Sequence, residues 1–127
     1  MGSCVLYSDG NPTRIAWAIS TGTQTLTQRR VQAKIYHGQV SQIQARFIAL
    51  HVGLFWSIGV FAIRNGDDVQ MVMSDPDMPS YMESKSGGDA FIDGRIRFVD
   101  MLLQQRGLRA TFRYAAPAEN IATPLLE

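Results

Sequence analysis

The chain opens with a short apolar run, residues 4–8 (Cys-Val-Leu-Tyr-Ser), that stops at Asp9-Gly10-Asn11-Pro12, a concentration of turn-forming residues. A second run, "RIAWAIS" over residues 14–20, ends at Thr21-Gly22-Thr23. Residues 25–36, "TLTQRRVQAKIY", then alternate, with Leu26, Val31, Ala33 and Ile35 set against Arg30, Gln32 and Lys34 and a slip near Arg29. Period-two patterning predicts a strand with one wet face, bulged at the slip. Together these segments predict a three-stranded antiparallel meander.

Beyond it the period changes. "SQIQARFIALHVGLFWSIGVFAIRNG" predicts a helix with Ser41 as its N-cap and Gly66, preceded by Asn65, as its stop. "VQMVMSD" predicts a fourth strand that again ends on an acid, Asp75, and is again followed by proline. Residues 84–89 predict a flexible loop, after which Phe91, Ile92, Ile96, Val99, Met101, Leu102 and Leu103 define a helix ending at Arg106-Gly107. "LRATFRYAA" predicts a fifth strand, with Leu108, Ala110, Phe112 and Tyr114 on one face and Arg109, Thr111 and Arg113 on the other. "PAENIATPLLE" predicts a short terminal helix in which Pro124 sits awkwardly. The order β-β-β-α-β-α-β-α implies an α/β fold with a five-stranded mixed sheet and helices on both faces.

Composition narrows the partners. With 127 residues and no internal repeat, a single domain over residues 1–127 is expected. The formal net charge of +1 gives no whole-molecule attraction to nucleic acid or acidic membranes, so any such affinity must come from a local patch. The single Cys4 excludes an intrachain disulfide and a Cys-rich zinc site, which fits a cytoplasmic setting. No secretory leader pattern is visible at the N-terminus. Residues 47–63 are nearly free of charge, but two glycines, a serine and a histidine dilute them, so they predict a buried core helix and no membrane span.

Several of these segments resemble ribonuclease H type I, and the resemblance covers essentially the whole chain in order. "YSDGNP" resembles that family's first strand, "YTDGS", and "RIAWAI" resembles the strand that follows it, "GYGAV". "QARFIALHVGL" resembles the start of the first helix, "N-x-A-E-x-x-A-L", with Ala45, Ala49 and Leu50 in register. "VMSDPDM" resembles the fourth strand, "I-x-S-D-S", and "APAENIATPL" resembles the C-terminal "N-x-x-A-D-x-L-A". The resemblance implies a ribonuclease H-like fold and a site built around Asp9 and Asp75.

The departures from the pattern carry functional meaning. Enzymes of this family use four carboxylates, Asp-Glu-Asp-Asp, to hold two divalent metals for phosphodiester hydrolysis. Here Arg46 stands where the glutamate is expected and Thr123 where the last aspartate is, the latter with spacing one residue short. A guanidinium stays protonated and can pair with a carboxylate in place of metal. The resemblance therefore implies a degenerate, metal-free pseudo-active site in which Arg46 bridges Asp9 or Asp75. The family's mobile histidine near its last helix has no counterpart after His51.

Other readings stay open. Asp9 and Asp75 each precede turn residues and could serve only as Asx-turn acceptors. A divergent Mg- or Mn-dependent nuclease acting on RNA/DNA hybrids would need a displaced acid, with Glu119, Asp68, Asp77 and Glu83 as candidates. Arg29, Arg30 and Lys34, together with Arg109 and Arg113, are candidate phosphate contacts for RNA, DNA or a hybrid. A charged run on a wet sheet face is, however, usually only solvated. His37 and His51 lack a second ligand at helical spacing and read as structural or exposed. Phe47, Phe55, Trp56 and Phe61 read as core, with any excess apolar surface available to a homodimer or protein partner. Met71, Met73, Met78 and Met82 read as packing.

Overall fold

The computed structural model describes residues 2–127. Five strands, β1 (Ser3–Gly10), β2 (Arg14–Ser20), β3 (Thr25–Val31), β4 (Asp68–Met73) and β5 (Arg109–Tyr114), form one sheet in the order β3-β2-β1-β4-β5. The meander β1-β2-β3 is antiparallel, whereas β4 lies parallel to both β1 and β5. Three helices, α1 (Gln42–Gly59), α2 (Met78–Ser84) and α3 (Ala90–Gln105), supply the crossovers. The sheet is mixed, as the element order implied, and its strand order is that of the ribonuclease H-like fold that the resemblance implied.

Side-chain alternation explains which face is covered. Leu6, Ile15, Trp17, Ile19, Met71 and Met73 share one face and pack in a continuous core with Phe47, Leu50 and Leu54 of α1 and Ile96 and Val99 of α3. Each fully buried side chain of this size contributes roughly 1.5–3 kcal/mol, so this layer anchors α1 to the sheet. On the opposite face, Asp9, Ala16 and Arg29 lie in register across β1, β2 and β3. A 3₁₀ turn, Thr123–Leu126, packs there against the same three strands.

Ser41 caps α1 as expected: its hydroxyl accepts from Gln44 N, and the Gln44 side chain accepts from Ser41 N, a reciprocal capping box. Helix α1 ends at Gly59, earlier than the glycine stop at 66, because Phe61 takes a left-handed conformation (φ 62°) and residues 60–63 fold back onto the last turn. Strand β3 ends at Val31 and residues 34–39 form turns, so the alternation through Ile35 does not continue as a strand. As the sheet edge, β3 buries little, and nothing enforces the period. The loosely patterned residues 78–84 form α2, with both Met78 and Met82 buried. The terminal helix resolves into two 3₁₀ turns, Pro117–Glu119 and Thr123–Leu126. Pro124 sits in the first turn of the second, where its missing N–H leaves no bond unmade.

The aromatic group divides. Phe47 is fully buried and Trp56 half-buried, but Phe55 and Phe61 are 64% and 76% exposed, contrary to a core role. Phe98 and Met101 on α3 are exposed as well. All four methionines read as packing are buried. No helix among the described residues is long and apolar enough to cross a membrane.

Candidate functional site

Because β1 and β4 are parallel neighbours, with Tyr7 opposite Val72, the chain leaving each strand emerges at the same sheet end. Asp9 is the next-to-last residue of β1, and Asp75 lies two residues beyond β4. Helix α1 crosses this end closely. A Cβ on Gly10 would sit 2.6 Å from the carbonyl oxygen of Ala45, so only glycine permits the approach. The Gln42 side chain donates to Gly10 O at 2.7 Å and fixes the start of the helix there. Arg46, one turn along, is thereby carried over the carboxylates.

The resulting contacts are specific. Arg46 Nε donates to Asp9 Oδ1 at 3.0 Å, and its Nη1 lies 3.6 Å from Asp75 Oδ2. Asp9 is 2% exposed. Its Oδ1 also accepts from Gly10 N at 2.8 Å, while Oδ2 accepts from the Thr123 hydroxyl at 2.6 Å. A buried carboxylate needs such partners, because desolvating it unpaired costs several kcal/mol. Asp75 is less enclosed; its Oδ1 accepts from Asp77 N at 2.9 Å in an Asx turn. The turn after β1, by contrast, is run by Asn11, whose side-chain oxygen accepts from Thr13 N and Arg14 N at 3.0 and 2.8 Å. Asp9 is thus free of turn duty beyond its own neighbour's N–H.

Thr123 reaches Asp9 because of Asn120. This fully buried amide donates to Ser8 O at 3.0 Å and to Ser74 Oγ at 2.9 Å, and its oxygen accepts from Ala122 N at 2.9 Å. One side chain therefore pins the C-terminal segment across the gap between β1 and the end of β4. Sequence reasoning placed Asn120 within the resemblance but gave it no role, since two of its partners, Ser8 in β1 and Ser74 just past β4, are distant in the chain.

The predicted basic residues do not form one patch. Arg29 and Arg30 gather with Arg14 around a shallow cavity of about 180 Å3 at the β2–β3 edge, on the Asp9 side of the molecule. There Arg29 donates to the main-chain oxygen of Glu127 at 2.8 Å, Arg14 to that of Leu126 at 3.4 Å, and the Arg30 guanidinium lies 5.1 Å from the Trp17 ring centre. Arg14 was not singled out by the sequence, being read only as the start of a strand. Lys34 is exposed on the turn that follows. Arg109 and Arg113 lie on β5, the opposite edge, and Arg109 pairs with Asp68. Four strand spacings separate the two edges, about 19 Å.

Of the displaced acids, Asp77 stands beside Asp75 in its Asx turn, whereas Asp68 is engaged at the far end of β4. Glu83 is exposed on α2 and Glu119 on the first 3₁₀ turn. No group of three or more His, Cys, Asp or Glu positioned to hold a metal ion occurs among the described residues. His37 is exposed. His51 is half-buried, stacked on Phe98 with ring centres 5.1 Å apart, and 2.9 Å from Arg95 Nη1. Burial, and then the Arg95 charge, push its pKa below the ordinary histidine value.

No family model matches the chain, and no curated protein matches it in sequence. Solved structures match it in shape. The ribonuclease H1 of the halophilic archaeon Halobacterium salinarum superposes with a TM-score of 0.79 at 15% identity, over 98% of this chain and 94% of that one. The N-terminal RNase H domain of a Mycobacterium tuberculosis protein gives 0.78 at 14% identity, over 99% and 91%. LC11-RNase H1, solved in complex with an RNA/DNA hybrid, gives 0.75 at 17% identity, over 96% and 92%.

Proposed function

We propose that this chain is a ribonuclease H-fold module that binds nucleic acid and in which Arg46 holds the carboxylate site in place of divalent metal. The observation that carries the reading is the single guanidinium set between Asp9 and Asp75, with both Asp9 oxygens already accepting hydrogen bonds. Two divalent cations require several oxygen ligands each. Two carboxylates, one threonine hydroxyl and a fixed positive charge do not fit that demand. Arg46 supplies the neutralisation that the carboxylates need, and its charge would also repel an incoming cation at about the same place.

Nucleic-acid contact is assigned to the edge bearing Arg14, Arg29 and Arg30, next to the Asp9 end. Like the ribonuclease H1 seen with an RNA/DNA hybrid, the chain would take a hybrid or another duplex across this end through its phosphates. The alternative is a divergent metal-dependent nuclease. It is favoured by the fold and by the two acids sharing one sheet end.

An RNA/DNA hybrid assayed for both binding and cleavage in Mg²⁺ or Mn²⁺ separates the two. The module reading expects salt-dependent binding that weakens when Arg14, Arg29 and Arg30 become alanine, and no cleavage. Cleavage that disappears in Asp9→Asn would establish the nuclease instead.

A further inference from the structure

The loop joining α1 to β4 holds a feature that neither packing nor the Asp9 site uses. Phe61 adopts a left-handed backbone (φ 62°), a conformation that glycine takes freely and that a bulky residue adopts only under strain. The usual recompense for a residue at such a helix end is apolar contact, yet Phe61 is 76% exposed. Its ring forms a wall shared by two cavities. One, of about 480 Å3, is lined also by Ile58, Arg64, Asn65 and Arg106. The other, of about 460 Å3, has a mixed lining that includes Thr21, Thr23, Gln24, Asn65 and the carboxylate of Asp67, which is buried and accepts from the Gly2 and Arg64 main-chain N–H groups. Arg64 and Arg106 are exposed, and neither guanidinium has a hydrogen-bond or ion-pair partner among the described residues.

An exposed aromatic ring, held where the backbone would rather have glycine, lining one cavity with two guanidiniums that have no partner among the described residues and another with small hydrogen-bonding side chains, matches the chemistry of an unpaired nucleotide. Base faces stack on aromatic rings largely without regard to sequence, and arginines take the flanking phosphates. We propose that Phe61, Arg64 and Arg106 form a site for single-stranded nucleic acid, with the base against Phe61 and the phosphates on the two arginines. It stands at the end of the sheet opposite Asp9, on the order of 20 Å away along β1. It does not rest on the reading of the Asp9–Asp75 site, and a strand bound here need not reach that site.

The test is fluorescence anisotropy with an end-labelled oligothymidylate of about ten nucleotides, within the usual span of such grooves. Two variants remove the ring while suiting the backbone: Phe61→Gly, and Phe61→Asn, since asparagine tolerates the left-handed region. Each should weaken binding about tenfold without lowering the melting temperature. Arg64→Ala with Arg106→Ala should reduce the slope of log affinity against log salt by about 1.4. Unchanged affinity in both Phe61 variants, or failure of the unaltered protein to bind the oligothymidylate, would overturn the proposal.

Discussion

The two ends of the sheet treat charge in opposite ways. At the end where β1 and β4 emerge, Arg46 is spent on Asp9 and Asp75, Thr123 and Gly10 complete the Asp9 shell, and Asn120 seals the segment behind them. At the other end, Arg64 and Arg106 have no side-chain partner among the described residues and line a cavity with an exposed ring. The first arrangement meets both Asp9 oxygens from within the fold and places its one cation between the two carboxylates. The second leaves its strongest recognition groups open at a cost in backbone strain. Location in the fold therefore does not by itself say where binding chemistry resides: the place that resembles an active site is closed on itself, and the unremarked loop is open.

The largest expected effect comes from opening the closed end. Arg46→Ala leaves Asp9 buried and short of its cation, which should cost about 3 kcal/mol of unfolding free energy in urea titrations. Asp9→Asn in the same background should return part of that loss, because it removes the stranded charge. If Arg46→Ala is neutral, the pair is not holding the site. Asn120→Ala comes next. Losing three buried hydrogen bonds and leaving Ser74 Oγ without that donor should cost about 2 kcal/mol, and the loosened C-terminal segment should show faster amide exchange at Thr123.

Phe61→Gly runs the other way. Relief of the left-handed strain should raise stability by about 1 kcal/mol, a gain that no substitution at the closed end is expected to give. A loss of stability there would mean that the ring packs more than its exposure implies. Smallest is a pH effect in the layer between the two ends. His51 has a lowered pKa in the folded protein, so the unfolded chain binds the extra proton more readily. Stability should therefore fall as pH drops below the ordinary histidine value of 6.5 toward the lower folded value. His51→Gln should flatten the melting-temperature profile over that window.

Much of the fold was legible because burial enforces its periods. Strands β1, β2 and β4 are covered on the face that packs α1 and α3, and their apolar runs mark them clearly. The edge strand β3 carries no such constraint, so its alternation ran on past Val31 into turns. The end of α1 was hidden for a related reason: its stop is a phenylalanine in a conformation that sequence rules assign to glycine. The same residue then passed for core, since its ring sits in an apolar stretch and only the backbone turn sends it into solvent. At the candidate site, the strand-end acids and the arginine between them could be read from the chain. The Asn120 clamp and the gathering of Arg14 with Arg29 and Arg30 could not, because each depends on partners from separate strands.

Whether Arg46 takes the place of metal between Asp9 and Asp75 is decided by isothermal titration of Mn²⁺ into the unaltered protein and into Arg46→Glu with Thr123→Asp. No saturable binding to the unaltered chain is expected at millimolar metal, and measurable binding is expected once the two acids are introduced. Saturable Mn²⁺ binding to the unaltered protein, lost in Asp9→Asn, would contradict that role of Arg46.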